Sequence, residues 1–157
     1  MLFRSQLKTL ISEEFGDERK LLFKDPRLCI LLPFYLDVFK EMDIVPRFLI
    51  TMRNVSDIVL SLERRDHFPK IKSTRIWMDH MLKSLFHTRG FPRSIIQYQD
   101  VISDPLKCMD QAMVDMGLME TITTEQKKEI LAFIEPNLNH GRKDRKSTRL
   151  NSSHRIR

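Results

Sequence analysis

Apolar positions along this chain follow two spacings, one typical of helices and the other of buried strands. Helical spacing marks residues 4–15, 56–65, 70–88, 105–116 and 124–134, and the largely apolar stretch 27–42 is predicted to be a helix that Pro33 kinks or restarts. Three short apolar runs of strand length lie at 20–23, 47–52 and 93–98. Because helices separate these strands, we predict right-handed crossovers and a parallel sheet, and therefore an α/β fold.

Capping residues predict where three of the helices begin. Asn54 or Ser56 can cap the helix after the second strand, and Thr123 or Thr124 can cap the last helix. The Asp104-Pro105 pair opens the helix that runs through residue 116, with proline in the first turn.

Polar side chains follow each of the three predicted strands. Lys24 and Asp25 come after the first strand, Arg53 after the second, and residues 98–100, beginning with Tyr98, after the third. Ligands of open parallel sheets bind at the carboxyl ends of the strands. We therefore take these residues as the candidate site.

Arg53 stands where a strand stops and a helix begins. Backbone N–H groups of residues 55–58 are expected to be free there, and both the helix dipole and the guanidinium favour an anion. Ser61 lies about one and a half turns into this helix, and its hydroxyl can donate to the same anion. In the alternative interpretation, Arg53 pairs with Asp57 or Asp100 and Ser61 only faces a close neighbour.

Lys24 and Tyr98 have two interpretations each. A lysine directly after a buried strand can neutralise charge on a group that is being transferred, or it can pair with Asp25 or extend over the surface. An aromatic ring at a strand end can stack on a base, or it can belong to the core.

The positive charge of the chain is concentrated at its end. The net charge is +6, and residues 141–157 alone hold seven Lys/Arg and one Asp, so residues 1–140 are electrically neutral. The body therefore gives no support to nucleic-acid binding. We expect a domain over 1–143 and a disordered basic tail over 144–157 that resembles translated adaptor or vector sequence; a native basic arm is the alternative.

Several functional classes are disfavoured by composition. No apolar run reaches the roughly 20 residues of a membrane span, and the first residues make a poor signal peptide. Cys29 and Cys108 lack metal-ligand spacing, and we expect them to be reduced core residues of a cytoplasmic protein.

Four stretches of the sequence together resemble the sulfotransferase family, especially its bacterial members with a Lys-Asp-Pro-Arg segment. They occur in the order LLFKDPRLCILLPFY, PRFLITMRNVSDIVLSLERRDHFP, IIQYQDVISDP and FIEPNLNH, and they cover about residues 20–142. The most specific part is Arg-Asn-x-x-Asp-x-x-x-Ser, from Arg53 to Ser61. The resemblance implies a P-loop-type three-layer α/β/α fold with a parallel sheet.

The resemblance also implies a chemistry and a set of roles. The family transfers a sulfuryl group from 3′-phosphoadenosine 5′-phosphosulfate to a hydroxyl or amine acceptor, without a required metal. Arg53 and Ser61 would bind the 3′-phosphate of this donor, and Tyr98 would lie near the adenine, with Gln99 in place of the usual acid. Lys24 would act on the transferring group. Arg142 lies where the last loop of the family closes over the nucleotide.

One expected motif is missing. The family opens with a strand and a Gly-x-x-Arg-Ser-Gly-type loop for the 5′-phosphosulfate, whereas the four glycines here, at 16, 90, 117 and 141, form no such loop. We therefore expect a fragment that lacks the first strand and the phosphate loop, and that is marginally stable and inactive by itself. The alternatives are a P-loop relative such as a nucleotide kinase that has lost its loop, and a non-catalytic nucleotide-binding or interaction module with a basic tail.

Overall fold

The structure, a computed structural model, describes residues 2–16, 20–119 and 121–134. Seven helices and two strands occur in this part of the chain. In order, they are α1 (Leu2–Phe15), α2 (Leu28–Glu41), β1 (Phe48–Met52), α3 (Val55–Asp66), α4 (Lys70–His87), β2 (Arg93–Gln97), α5 (Tyr98–Ser103), α6 (Pro105–Asp115) and α7 (Thr124–Phe133).

The fold is mixed α/β and mostly helical, around a two-stranded parallel sheet. Phe48 pairs with Arg93 and Met52 with Gln97, so the two strands lie in register along their full length. The predicted class and the parallel pairing are confirmed. The three-layer P-loop arrangement remains a prediction, because two strands do not establish it.

The predicted strand at 20–23 is wrong. Residues 20–25 form no strand, although their burial alternates as in an extended chain, with Leu21 and Phe23 half-buried and Leu22 exposed. A strand exists only through hydrogen bonds to a neighbouring strand, and β1 and β2 pair only with each other among the described residues. The apolar residues of this run, Leu21 and Phe23, pack against side chains of the core and not within a sheet.

The helix boundaries mostly follow the sequence signals. Between the two candidates at each start, Asn54 caps α3, accepting from the Ser56 amide at 2.9 Å, and Thr123 caps α7 in a capping box with Gln126. Pro33 lies inside α2 and does not restart it. The third strand ends one residue earlier than predicted, and α5, which follows directly, was not predicted as a helix.

Two groups of buried side chains form the core. The first, here called the aromatic cluster, joins Phe15, Phe23, Tyr35 and Phe39 through ring contacts of 5.4–6.3 Å around buried Ile11 and Val38. The second, here called the sheet cluster, packs Ile96 of β2 on Ala112 and Met116. Both groups bring together apolar residues that are distant in the sequence.

Cys29 and Cys108 are free and half-buried, and burial raises the pKa of both thiols. Of the helices in the described part of the chain, none has both the length and the apolar character that crossing a bilayer requires.

Candidate functional site

Arg53 lies between the last residue of β1 and the cap of α3. Its guanidinium carbon is 4.8 Å from the centroid of the Tyr98 ring, which belongs to the first residue of α5. Because β1 and β2 are parallel and in register, Met52 and Gln97 end the two strands side by side, and the residues that follow them meet at one edge of the sheet. The predicted proximity of Arg53 and Tyr98 is therefore found.

Arg53 is half-buried, and its Nε atom is buried with no hydrogen-bond partner in the described part of the chain. No ion pair of Arg53 occurs among these residues either, so the pairing with an aspartate that the sequence allowed is not the arrangement found. Leaving a buried donor unpaired costs roughly 1–3 kcal/mol. An acceptor brought by a ligand would remove that cost.

The first turn of α3 is less open than expected. Ser56 donates its amide to the Asn54 side chain, and the amides of Asp57 and Ile58 donate to the Asn54 carbonyl at 3.1 and 3.2 Å. Of the amides at 55–58, only that of Val55 has no hydrogen bond within the described residues. The expectation that the backbone amides of the first turn are free is thus wrong. An anion at this end of α3 would be attracted mainly by the helix dipole and less by hydrogen bonds from backbone amides.

Asp57 and Gln99 connect α3 to α5 beside this pair. Asp57 is 8% exposed, and the Gln99 amide nitrogen lies 3.5 Å from one of its carboxylate oxygens. Asp57 also stands in the first turn of α3, where a negative charge is favourable. In the sequence, Gln99 stands out only as a departure from the sulfotransferase pattern. Because α5 was not predicted as a helix, the direction of the Gln99 side chain was not predicted either.

Ser61 stands one turn after Asp57 on α3 and is exposed. Its hydroxyl makes no hydrogen bond within the described residues. The hydroxyl is therefore available to a ligand on the helix that begins beside Arg53.

Lys24 is exposed. It lines a groove of about 260 Å³ between α1 and the start of α2. The lining residues are Leu7, Leu10, Ile11, Glu14, Phe15, Phe23, Lys24, Asp25, Leu28 and Tyr35. Arg53, Ser61 and Tyr98 are not among them, and no hydrogen bond, ion pair or ring contact joins Lys24 to Arg53 or Tyr98.

Asp25, beside Lys24, is committed to another partner. Arg27 donates to both Asp25 carboxylate oxygens, at 3.0 and 2.7 Å, and its amide donates at 2.7 Å. These hydrogen bonds from Arg27 lower the pKa of Asp25 to about 2. Lys24 therefore makes no ion pair with Asp25, whereas its exposure agrees with the other alternative, a surface lysine.

Arg142, assigned to the nucleotide-closing loop, lies outside the described residues. In the described part of the chain, no group of three or more His, Cys, Asp and Glu residues has an arrangement that could hold a metal ion.

No protein-family model, curated protein or solved structure matches this chain. The resemblance to sulfotransferases therefore rests on the sequence stretches quoted above.

Proposed function

We propose that this chain is the donor-binding part of a sulfotransferase that uses 3′-phosphoadenosine 5′-phosphosulfate. The observation that carries the proposal is the Arg53–Tyr98 pair at the end of the sheet, where the buried Arg53 Nε has no hydrogen-bond partner among the described residues. A guanidinium held against an aromatic ring loses little freedom when it binds, and its planar fork matches the oxygens of a phosphate. An adenosine with a 3′-phosphate offers both an anion and a flat ring.

The pair occupies the place where the resemblance requires it. Arg53 opens the Arg-Asn-x-x-Asp-x-x-x-Ser segment, and Tyr98 stands at the position of the family tyrosine near the adenine. In this proposal, Arg53 holds the 3′-phosphate, helped by the positive end of α3 and by the Ser61 hydroxyl. The Tyr98 ring supports the guanidinium that lies over it and borders the base.

The other assigned residues have weaker support. Lys24 as the cation on the transferring sulfuryl group is supported by the Lys-Asp-Pro pattern and by its freedom from ion pairing, and Arg142 by its position in the sequence alone. The donor would supply an electrophilic sulfur, and an acceptor hydroxyl or amine would attack it in line. No metal enters the proposal, which includes a cytoplasmic location, where thiols such as those of Cys29 and Cys108 stay reduced.

The direct test compares adenosine 3′,5′-bisphosphate with adenosine 5′-monophosphate as ligands of the 157-residue chain in isothermal titration calorimetry. We expect the bisphosphate to bind more tightly. Arg53→Ala should weaken binding of the bisphosphate by about ten- to one-hundredfold, because one or two charged hydrogen bonds are lost. The same substitution should leave binding of the monophosphate nearly unchanged.

Arg89→Ala is the matched control, because Arg89 also lies over a ring, with its guanidinium carbon 5.4 Å from the Phe86 centroid. This variant should bind the bisphosphate as the wild type does. Equal affinity for the two nucleotides, or an equal loss in both variants, would refute the 3′-phosphate clamp.

The same pair would also serve a nucleotide-binding module that catalyses nothing. A transfer assay distinguishes the two for this chain: we expect binding without sulfuryl transfer, because no glycine loop is available to hold the 5′-phosphosulfate. Transfer at a rate comparable to that of intact sulfotransferases would show that the missing loop is dispensable.

A further inference from the structure

The solvent-facing side of α4 carries an apolar stripe, here called the α4 stripe. Its members are Ile71, Met78, Leu82 and Phe86, which are 84%, 50%, 60% and 63% exposed. At 100° per residue, these four side chains fall within an arc of about 80°, and they extend about 22 Å along the helix. An ordered row of this kind differs from the single apolar residues that are scattered over ordinary surfaces.

The opposite side of α4 already has its neighbours. Ser73 is fully buried, and Thr88, which ends the helix, is 2% exposed. Trp77 and Ser84 lie on that side too and are half-buried. The α4 stripe is therefore not the core face of a displaced helix, because α4 is already packed through its other side.

The charge around the α4 stripe is positive. Residues 70–89 contain five Lys/Arg and one acid, Asp79, which pairs with Lys83 at 2.8 Å. Arg75 lies within the arc of the stripe and Lys72 flanks it. Arg89 follows the end of α4, and its guanidinium carbon lies 5.4 Å from the centroid of the Phe86 ring. Among the described residues, none of these three cations makes an ion pair with an acid.

The positive charge decides between possible occupants of the stripe. A second copy of α4 would bring the same cations against Lys72, Arg75 and Arg89. The terminal segment 141–157, with seven Lys/Arg and one Asp, is of the same sign. An acidic occupant is favoured.

The width of the α4 stripe favours a protein helix, rather than a bilayer, as its acidic occupant. A helix that lies in a membrane interface presents a broad apolar face, whereas the α4 stripe is one residue wide and is interrupted by Arg75. A narrow row at spacings of seven, four and four residues matches the seam between two packed helices, with charges at the flanks setting the choice of partner.

We propose that the α4 stripe docks an acidic amphipathic helix of a partner protein. The apolar side chains form the seam, and acidic residues of the partner lie against Lys72, Arg75 and Arg89. This surface does not involve Arg53 or Tyr98, so the proposal is independent of nucleotide binding.

The test uses a fluorescein-labelled synthetic peptide of four heptads, with leucine at the two seam positions and glutamate at the flanking ones. Fluorescence anisotropy with the full 157-residue chain should show saturable binding that weakens as salt is raised, since a Debye length is only about 10 Å at 0.1 M. A version of the peptide with lysine in place of glutamate should not bind.

Leu82→Glu should weaken binding of the acidic peptide by at least about tenfold, as the loss of a central seam residue does. Leu131→Glu is the matched control, because Leu131 is an exposed leucine of α7, 51% exposed, and it should bind as the wild type does. Both substituted side chains face solvent, so circular dichroism should show that the two variants remain folded.

Four results would overturn the proposal. They are no binding of the acidic peptide at millimolar concentration, equal binding by the Leu82→Glu variant, stronger association with phosphatidylserine vesicles than with the peptide, and a wild-type dimer in sedimentation that Leu82→Glu dissociates. The last two would identify a bilayer or a second copy of this chain as the occupant.

Discussion

The aromatic cluster and the sheet cluster bury their side chains in different ways. In the aromatic cluster, rings from α1, from residues 20–25 and from α2 pack on one another, and no strand pairing takes part. In the sheet cluster, Ile96 belongs to a hydrogen-bonded strand, and the helix that covers it approaches through Ala112, which is completely buried.

This difference bears on the candidate site, because two of its predicted residues lie in these two regions. Lys24 lies beside the aromatic cluster, and Arg53 lies at the end of the sheet. Lys24 is held next to Phe23, so its position depends on how rings pack. Arg53 follows β1 directly, so its position depends on the register of two strands. A residue placed by backbone pairing is fixed by geometry, whereas one placed by side-chain packing shifts when the packing changes.

The largest expected effect comes from emptying the aromatic cluster. Phe39 is 7% exposed and contacts both Phe23 and Tyr35. Phe39→Ala should lower the free energy of unfolding by about 3–5 kcal/mol, because the cavity removes both area and ring contacts. Urea unfolding followed by circular dichroism measures it.

Leu31→Ala is the control on the same helix, since Leu31 is 46% exposed, and it should cost much less. A similar loss in both variants would mean that the aromatic cluster is not the core of this region.

Overfilling the sheet cluster should have a smaller effect. Ala112 has no exposed surface where α6 meets Ile96, so Ala112→Leu should cost about 1–3 kcal/mol in urea unfolding. The same replacement at Val114, which is 71% exposed, should be nearly neutral. If Ala112→Leu stabilised the protein, α6 and β2 would be less closely packed than described.

Much of the fold could be predicted from sequence, for reasons that differ between elements. The strands at Phe48–Met52 and Arg93–Gln97 could be predicted because each is a short apolar run between segments with helical spacing. In the structure, these two strands pair with each other. Residues 21–23 carry the same apolar signal, but no strand in the described part of the chain pairs with them. An apolar pattern in the local sequence predicts that a segment is buried. Whether the buried segment forms a strand depends on a neighbouring strand with which it can pair.

The candidate site divides in a similar way. The proximity of Arg53 and Tyr98 followed from strand topology, which the sequence supplies. The blocked first turn of α3 could not be predicted, because it depends on Asn54 rather than Ser56 being the cap. The position of Lys24 in the groove between α1 and α2 could not be predicted either, since Lys24 was expected to follow a strand that is not found.

A pH-dependent prediction concerns the hydrogen-bonded pair of Ser94, which is buried, and Asp115, which is exposed. The Ser94 hydroxyl donates to Asp115 at 2.7 Å, and this hydrogen bond, followed by one from Gln111, lowers the pKa of Asp115. A carboxylate with a lowered folded pKa contributes stability that is present above its ordinary value of 3.8 and is lost as the pH falls through the folded value.

Ser94→Ala should therefore raise the Asp115 pKa toward 3.8 and reduce the difference in stability between pH 6 and pH 3. Carbon-13 NMR of the carboxyl group and urea unfolding at the two pH values measure these quantities. Gln111→Ala should do the same to a smaller degree, and a larger effect from Gln111→Ala would reverse the assigned order of causes.

The smallest expected effect lies beside Lys24. Arg27→Ala should raise the Asp25 pKa from about 2 toward 3.8 in a carbon-13 NMR titration, with little change in stability at neutral pH because the pair is exposed. Lys24→Ala is the control, because Lys24 contributes least among the causes of the shift. An unchanged Asp25 pKa in Arg27→Ala would show that this pair does not form in solution.

The parallel register also has a kinetic consequence. Each paired residue of β1 and β2 is 45 positions from its partner, and α3 and α4 lie in between. Closing so long a loop costs chain entropy before any ladder hydrogen bond forms, which slows folding. We therefore expect the helices to form early and the strands to pair late, so that the edge presenting Arg53 and Tyr98 is among the last parts of the chain to be assembled.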